Sequence, residues 1–233
     1  MTVRPTFVLI PGAGGSAWYW HRVVPELEKA GFAAIAIDLP AGDDSAGLRE
    51  YTQTVVDAIA DVGSVVLVAQ SLGGFTAPLV CDHVPVELLV LVNAMIPRPG
   101  ETSGDWWANT GQGAAAAEYT RKQGRDTEFD PIEDFFHDVP PDVREEAFRM
   151  GEPPQSGTPF EQPWPLSSWP AVPTRIIAGR DDRLFPAEYQ ERIARERLGL
   201  TAEVVPGGHL IALSRPVELA NTLVGYADEV ARG

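Results

Sequence analysis

Cysteine is almost absent from the chain, since Cys81 is the only one among 233 residues. A single thiol excludes an intrachain disulfide and a zinc site built from several thiolates. No group of His, Cys, Asp and Glu residues has the spacing of metal ligands either. We therefore expect no metal and no other cofactor, and we expect Cys81 to be a small residue packed in a helix.

Long apolar runs and basic residues are also scarce. No apolar stretch approaches the ~20 residues of a transmembrane helix, and no charged-then-apolar segment resembles a secretory signal. Lys and Arg number 18 against 33 Asp and Glu, a net charge of −15, which repels nucleic acid and anionic membranes. We predict a cytoplasmic protein with a small-molecule substrate and without nucleic-acid or membrane partners. The sequence leaves open whether it forms a homodimer.

The remaining composition, 44% hydrophobic and 22% charged, is that of a globular protein. Short, continuously apolar segments alternate with segments of helical period, which predicts parallel strands covered on both faces by helices. The predicted fold class is α/β, with a mostly parallel sheet of about six strands. The predicted strands are residues 6–10, 33–37, 64–69, 87–92, 174–178 and 202–205. The predicted helices are residues 16–30, 48–61, 73–83, 186–198 and 216–230.

A serine stands between the third predicted strand and the helix that follows it. Ser71 follows an apolar run and is followed by Leu72, Gly73 and Gly74. A serine at such a sharp turn has an exposed hydroxyl and a strained backbone, the nucleophile elbow of Gly-x-Ser-x-Gly sequences. Ala69 takes the place of the first glycine and is still small. The alternative is that Ser71 is an ordinary helix N-cap.

An acid and a histidine follow the last two predicted strands, in the order Ser, Asp, His. Imidazole can accept and return the proton of Ser71, and a carboxylate can fix its tautomer. These roles predict Asp182 as the acid and His209 as the base. Asp181 is the adjacent alternative to Asp182, and Asn93 is a second alternative for the orienting position.

A serine that attacks a carbonyl carbon also requires backbone N–H donors for the oxyanion that forms. The N–H of Leu72, directly after the serine, and that of Ala13, in the loop after the first strand, are the candidates. Residues 12–17 also fit a loose dinucleotide fingerprint, with Asp38 near the required spacing. Dinucleotide binding would leave the serine, acid and histidine unexplained, so we favour the oxyanion loop.

Three stretches carry a family resemblance: PGAGGSAWYW at residues 11–20, VPEL at 24–27 and AIDLP at 36–40. They resemble the α/β-hydrolase superfamily, in particular the branch of plant methyl-ester esterases and hydroxynitrile lyases with its bacterial esterase-like relatives. The resemblance covers residues 3–96 and 171–231.

The resemblance implies a role for each candidate. Ser71 would be the nucleophile, His209 the base and Asp182 the orienting acid, with Ala13 and Leu72 as oxyanion donors. The implied activity is a serine hydrolase that cleaves a small, largely apolar ester, thioester or lactone through an acyl-enzyme. A non-hydrolytic ligand-binding protein and a lyase or isomerase on the same fold are the alternatives.

Two departures from the family pattern favour hydrolysis over lyase chemistry. Leu210 stands where such lyases carry a lysine, and Gly12 stands where they place a threonine. Pro11 replaces a histidine that commonly supports the oxyanion loop in the family, so we expect this loop to lack that support.

Residues 97–170 interrupt the alternation of strands and helices. They are rich in proline and aromatic residues and carry six basic and fourteen acidic residues, a net charge of −8. We predict a cap over the site, inserted into a core of residues 1–96 and 171–233. The alternative is that its aromatics only attach the insert to the core. The candidate pocket residues are Trp106, Trp107, Phe136 and Trp164.

Overall fold

The computed structural model describes residues 4–125 and 130–232 of the chain. Its sheet has six strands in the order β2-β1-β3-β4-β5-β6, and every neighbouring pair is parallel. The predicted α/β class and parallel sheet are therefore confirmed. The strands are β1 (Thr6–Ile10), β2 (Ala34–Ala36), β3 (Val65–Gln70), β4 (Val86–Val92), β5 (Thr174–Gly179) and β6 (Glu203–Val205).

The strand order reverses between β1 and β3. The chain leaves β1 for the edge strand β2 and then returns to the other side of β1 to form β3. In open parallel sheets, the loops at the carboxyl ends of such neighbours diverge and leave a crevice where ligands bind. The loop after β1 and the turn after β3 therefore meet at one place, and the sequence assigns the oxyanion loop and Ser71 to them.

Helices surround the sheet in the described part of the chain. They are α1 (Val24–Lys29), α2 (Leu48–Ala58), α3 (Gly73–Val80), α4 (Ser103–Thr110), α5 (Gln112–Lys122), α6 (Pro131–Asp134), α7 (Pro141–Met150), α8 (Thr158–Glu161), α9 (Ala187–Leu198), α10 (Ile211–Ser214) and α11 (Pro216–Val230), with a 3₁₀ helix at Ala17–Trp20. None of the helices described is both long and apolar enough to cross a bilayer.

The predicted helix over residues 16–30 is wrong in extent. The structure divides it into the 3₁₀ helix and α1, separated by a turn. Ser16 caps the 3₁₀ helix by accepting from the Trp18 N–H, and Pro25 lies in the first turn of α1. Proline has no N–H and fits a helix only in its first turn, so Pro25 makes a new start there rather than continuing the earlier helix.

The buried side chains form two apolar layers, one on each face of the sheet. Alternate strand residues such as Ile10 and Leu67 pack with α2, α3 and α9 on one face. Their neighbours, such as Leu9 and Val66, pack with α1, α10 and α11 on the other. Cys81, at the end of α3, is half-buried against the first layer, and burial raises the pKa of its thiol to about 12.

A buried ion pair joins residues 97–170 to α9. Arg197 Nη2 donates to Glu101 Oε1 at 2.9 Å, and the two side chains are 2% and 5% exposed. Glu101 also accepts from Asn109 Nδ2 and from the backbone N–H of Arg98. Burial alone would raise the pKa of Glu101, but the bonds from Arg197 and Asn109, the charge of Arg197 and the Arg98 N–H together lower it.

Glu101→Gln is expected to lower the free energy of unfolding by about 3 kcal/mol at pH 7, because it leaves the Arg197 charge buried without a counter-ion. The folded pKa of Glu101 lies below its unfolded value of about 4.3, so this stabilisation is present above that pH and is lost as pH falls through the folded pKa. Urea unfolding of both proteins from pH 7 to pH 3.5 should show the difference shrinking only in the acid range.

Glu118→Gln is the matched control for this prediction, because Glu118 pairs with Lys122 on the surface and is 57% exposed. Its effect should be below about 1 kcal/mol. A difference for Glu101→Gln that is equally small, or that does not change with pH, would contradict the prediction.

Candidate active site

Ser71 lies in the sharp turn between β3 and α3. Its φ of +50° places a non-glycine residue in the left-handed region, which costs energy and marks functional turns. Leu72, not Ser71, occupies the N-cap position of α3, so the simple N-cap alternative does not describe this serine.

Steric contacts explain why Gly73 and Gly74 follow the serine turn. A Cβ on Gly73 would lie 2.7 Å from the Pro11 carbonyl oxygen, and one on Gly74 would lie 1.9 Å from that of Met95. Both distances are too short for a real side chain. Glycine at these positions therefore lets α3 start directly against the loops that follow β1 and β4.

The structure brings Ser71, His209 and Asp182 together in one hydrogen-bonded chain. His209 Nε2 lies 3.2 Å from Ser71 Oγ, and His209 Nδ1 lies 2.8 Å from Asp182 Oδ2. The ring of His209 is 2% exposed and the carboxylate of Asp182 is completely buried. This arrangement can take a proton from the serine hydroxyl and hold the resulting imidazolium against a carboxylate.

The carboxylate of Asp182 is held on both oxygens. Its Oδ1 accepts from the backbone N–H groups of Leu184 at 2.9 Å and Phe185 at 2.8 Å. Its Oδ2 accepts from His209 and, at 3.4 Å, from Gln190 Nε2. These bonds leave the carboxylate one orientation, with Oδ2 facing the imidazole.

Asp181, the adjacent alternative, faces away from the imidazole. It pairs with Arg180 at 3.1 Å, its side chain is 42% exposed, and it accepts from the Gly207 N–H at 3.2 Å. Burial alone would raise the pKa of Asp181, but the bonds from Arg180 and Gly207 lower it. Of the two aspartates, Asp182 is the one in contact with His209.

Asn93 lies behind the histidine and does not contact its ring. Its Nδ2 donates to the carbonyls of Gly208 at 2.9 Å and His209 at 3.2 Å, and its Oδ1 accepts from the Gly179 N–H at 2.6 Å. It is fully buried with a φ of +46°, which asparagine tolerates better than most residues. Asn93 therefore fixes the backbone of the histidine loop.

The sequence predicted Asn93 as an alternative orienting residue, not as a residue that fixes the histidine loop. It predicted no role for Gln190. The available signal was a polar residue directly after a buried strand for Asn93. Gln190 stood in an ordinary polar helix and carried no such signal. In the structure Gln190 Nε2 bridges Phe185 O at 2.6 Å, Asn93 Oδ1 at 3.2 Å and Asp182 Oδ2.

The loop after β1 lies directly against the serine. A Cβ on Gly12 would be 2.8 Å from Ser71 Cβ, so only glycine allows this approach. The loop closes through a bond from the Gly15 N–H to the Gly12 carbonyl at 3.1 Å. The N–H groups of Ala13 and Leu72 donate to no acceptor among residues 4–125 and 130–232. Both candidate oxyanion donors are thus uncommitted within the described chain.

Two of the predicted pocket residues are core side chains. Trp106 and Trp164 are each 1% exposed and pack in the apolar layer of α2, α3 and α9. Their indole N–H groups donate at 3.1 Å to the carbonyls of Ile96 and Phe75 respectively. Composition alone could not distinguish these side chains from pocket residues.

Other rings lie closer to the histidine. Those of Phe185 and Phe135 are centred 5.0 Å and 5.4 Å from the ring of His209. Trp107 lies one ring further out, 5.6 Å from Phe185, while Phe136 packs against the opposite apolar layer. Sequence reasoning missed Phe185 and Phe135, although Phe185 stands only three residues after Asp182.

The histidine loop also touches residues 137 and 138. Asp138 Oδ2 accepts from the Gly208 N–H at 2.8 Å. A Cβ on Gly208 would lie 2.8 Å from His137 Nε2, so both side chains cover this glycine. Burial lowers the pKa of His137. Residues 97–170 therefore reach the loop that carries His209.

Comparisons with known proteins identify the family to which the chain is similar. The profile of a family described as "Alpha/beta hydrolase family" matches residues 7–222. A probable esterase, PIR7A, of Oryza sativa subsp. indica is 36% identical, over 42% of this chain and 42% of that protein. The match thus spans less than half of this relative's length. Methylesterase 8 of Arabidopsis thaliana is 26% identical, over 97% of this chain and 91% of that protein.

A solved structure supports the same architecture over the whole chain. The crystal structure of a pyrethroid hydrolase from Sphingobium faniae JZ-2 is 25% identical in sequence and superposes with a TM-score of 0.75. The superposition covers 98% of this chain and 99% of that one. Because so little of the chain is left out, the superposition extends into residues 97–170, where the strand–helix alternation is interrupted.

Proposed function

The chain belongs to the alpha/beta hydrolase family, and we propose that it is a serine hydrolase that cleaves a small, largely apolar carboxylic ester through an acyl-enzyme. The observation that carries the proposal is the hydrogen-bonded chain from Ser71 through His209 to Asp182. A buried, oriented imidazole beside a strained serine is the arrangement that activates a hydroxyl group.

In the proposed reaction, Ser71 Oγ attacks the ester carbonyl carbon and His209 Nε2 takes the hydroxyl proton. Asp182 holds the other ring N–H and stabilises the imidazolium. The N–H groups of Ala13 and Leu72 bind the oxyanion of the tetrahedral intermediate. His209 returns its proton to the leaving alcohol, and an acyl-enzyme remains. Water then attacks the acyl carbon with His209 again as base, which releases the acid and restores Ser71.

The surroundings of His209 favour an apolar substrate. Phe135, which is half-buried, places an aromatic ring beside the imidazole. Phe185 lies next to the imidazole as a fully buried core ring, and the half-buried Trp107 packs against it. The net charge of −15 favours a neutral or cationic molecule. Relatives named esterase and methylesterase favour a carboxylic ester over a thioester or lactone.

We also propose residues 97–170 as a cap on this site. The support is local: Phe135 lies beside His209, Asp138 binds the loop before it, and Gln155 binds the loop after β1. Trp107 and Phe135 are the side chains of the cap that we assign to the substrate pocket.

Turnover of p-nitrophenyl esters in ¹⁸O-labelled water tests the proposal. We expect acid product that carries one ¹⁸O atom, together with fluorophosphonate labelling that mass spectrometry maps to Ser71. Release of p-nitrophenol without ¹⁸O-labelled acid would mean that the acyl group passes to an acceptor other than water, which would contradict the proposed hydrolysis. A folded protein that binds these esters but neither turns them over nor is labelled would indicate a ligand-binding protein.

A further inference from the structure

The loop that carries Ala13 has few restraints of its own. Proline at position 11 offers no side-chain hydrogen bond to it. Gly14 and Gly15 adopt left-handed φ values of +85° and +61°. The Gly15 N–H binds the Gly12 carbonyl, and the Gly15 carbonyl accepts from the Leu39 N–H at 2.7 Å. These bonds hold the ends of the loop, and Gly14, next to Ala13, has no backbone partner in the described part of the chain.

Gln155 supplies that partner from a distant part of the chain. Its Oε1 accepts from the Gly14 N–H at 2.8 Å. Its Nε2 donates to the Tyr51 hydroxyl at 3.2 Å and to the Ser156 carbonyl at 2.8 Å. Because the amide nitrogen faces the Ser156 carbonyl, an acceptor that needs a donor, the amide cannot be flipped, and its oxygen must face Gly14.

The neighbouring proline restricts the same glycine. A Cβ on Gly14 would lie 2.6 Å from Pro153 Cγ, so the segment before Gln155 packs directly on the loop. Ser156, on the other side, donates its N–H to the Ala41 carbonyl at 2.7 Å. The segment is thus itself anchored to the core, and it can hold the loop in place.

We infer that Gln155 is a positioning residue for the oxyanion donor: its side-chain oxygen fixes Gly14 and, through it, the N–H of Ala13. The inference rests on the proposed hydrolase function. An oxyanion donor acts only when it is held at hydrogen-bond distance from the developing charge. A displacement of about 1 Å can cost ~10²-fold in rate, so a loop restraint has a large effect on catalysis and little on ground-state binding.

Gln155→Met tests the inference, because methionine has a similar length and no strong acceptor for the Gly14 N–H. We expect kcat for a p-nitrophenyl ester to fall by about tenfold to a hundredfold while KM changes by less than about threefold. The affinity for an aryl trifluoromethyl ketone, which forms an oxyanion on Ser71, should fall by a similar factor.

Gln162→Met is the matched control. Gln162 lies in the same segment, and its Oε1 accepts the Leu48 N–H at 2.7 Å at the start of α2, away from the oxyanion loop. Gln162→Met should lower the free energy of unfolding about as much as Gln155→Met does, and it should keep kcat within about twofold of wild type. Wild-type kcat in Gln155→Met, an equal loss in both variants or a change confined to KM would overturn the inference. Wild-type protein without turnover or labelling would instead contradict the proposed function.

Discussion

Ser71→Ala is expected to abolish ester hydrolysis and fluorophosphonate labelling, with kcat reduced by roughly 10⁶-fold. The proposed reaction forms its covalent intermediate on Ser71 Oγ, and alanine offers no atom in that place. The substrate dissociation constant should change little, because the oxygen contributes mainly to the transition state. Steady-state kinetics with a p-nitrophenyl ester, and ester binding to the variant, measure the two quantities.

The double variant Ser71→Ala, His209→Ala shows whether the two residues act as one catalytic unit or contribute to kcat independently. His209 acts on the serine through a 3.2 Å contact, so removing both should cost no more than removing the serine alone. His83→Ala is the control, since His83 is exposed after α3, and it should keep full activity. Residual kcat above about 1% in folded Ser71→Ala would assign the nucleophile elsewhere.

Much of the fold was predictable because its sequence signals are local. The strands are continuously apolar, as burial on both faces requires, and each observed strand lies within two residues of its predicted bounds. The elbow was predictable for the same reason. Neighbouring atoms leave no room for a Cβ on Gly73 or Gly74. The close approach of α3 to the loops after β1 and β4 is therefore visible in the sequence as a pair of glycines.

The rest depends on contacts between distant residues. Gln155 lies 141 positions from Gly14, and Asn93 lies 115 from Gly208, so no local pattern connects them. Polar side chains of this kind look like ordinary loop residues until the fold supplies their partners. The same holds for Trp106, because a tryptophan in a proline-rich insert is equally compatible with a pocket and with the core.

Asp182→Asn is expected to lower kcat by about 10⁴-fold with little loss of folding stability. The asparagine oxygen would stay at the Oδ1 position, where two backbone N–H groups require an acceptor. Its NH₂ would then face His209 Nδ1, which must accept instead of donate. The ring proton would move to Nε2, and Nε2 could no longer take the proton of Ser71. Comparison of kcat with thermal unfolding of the variant measures both effects.

Asp181→Asn is the control, because it makes the same change in charge and volume one residue away. Asp181 pairs with exposed Arg180 and has no contact with the imidazole, so kcat should stay within about threefold of wild type. Equal losses in the two variants would mean that negative charge near the histidine loop, and not the Asp182–His209 bond, sustains the activity. A larger loss for Asp181→Asn would transfer the orienting role to it. The expected difference in kcat between the two variants follows from geometry, because of the two aspartates it is Asp182 that fixes which nitrogen of His209 carries the proton.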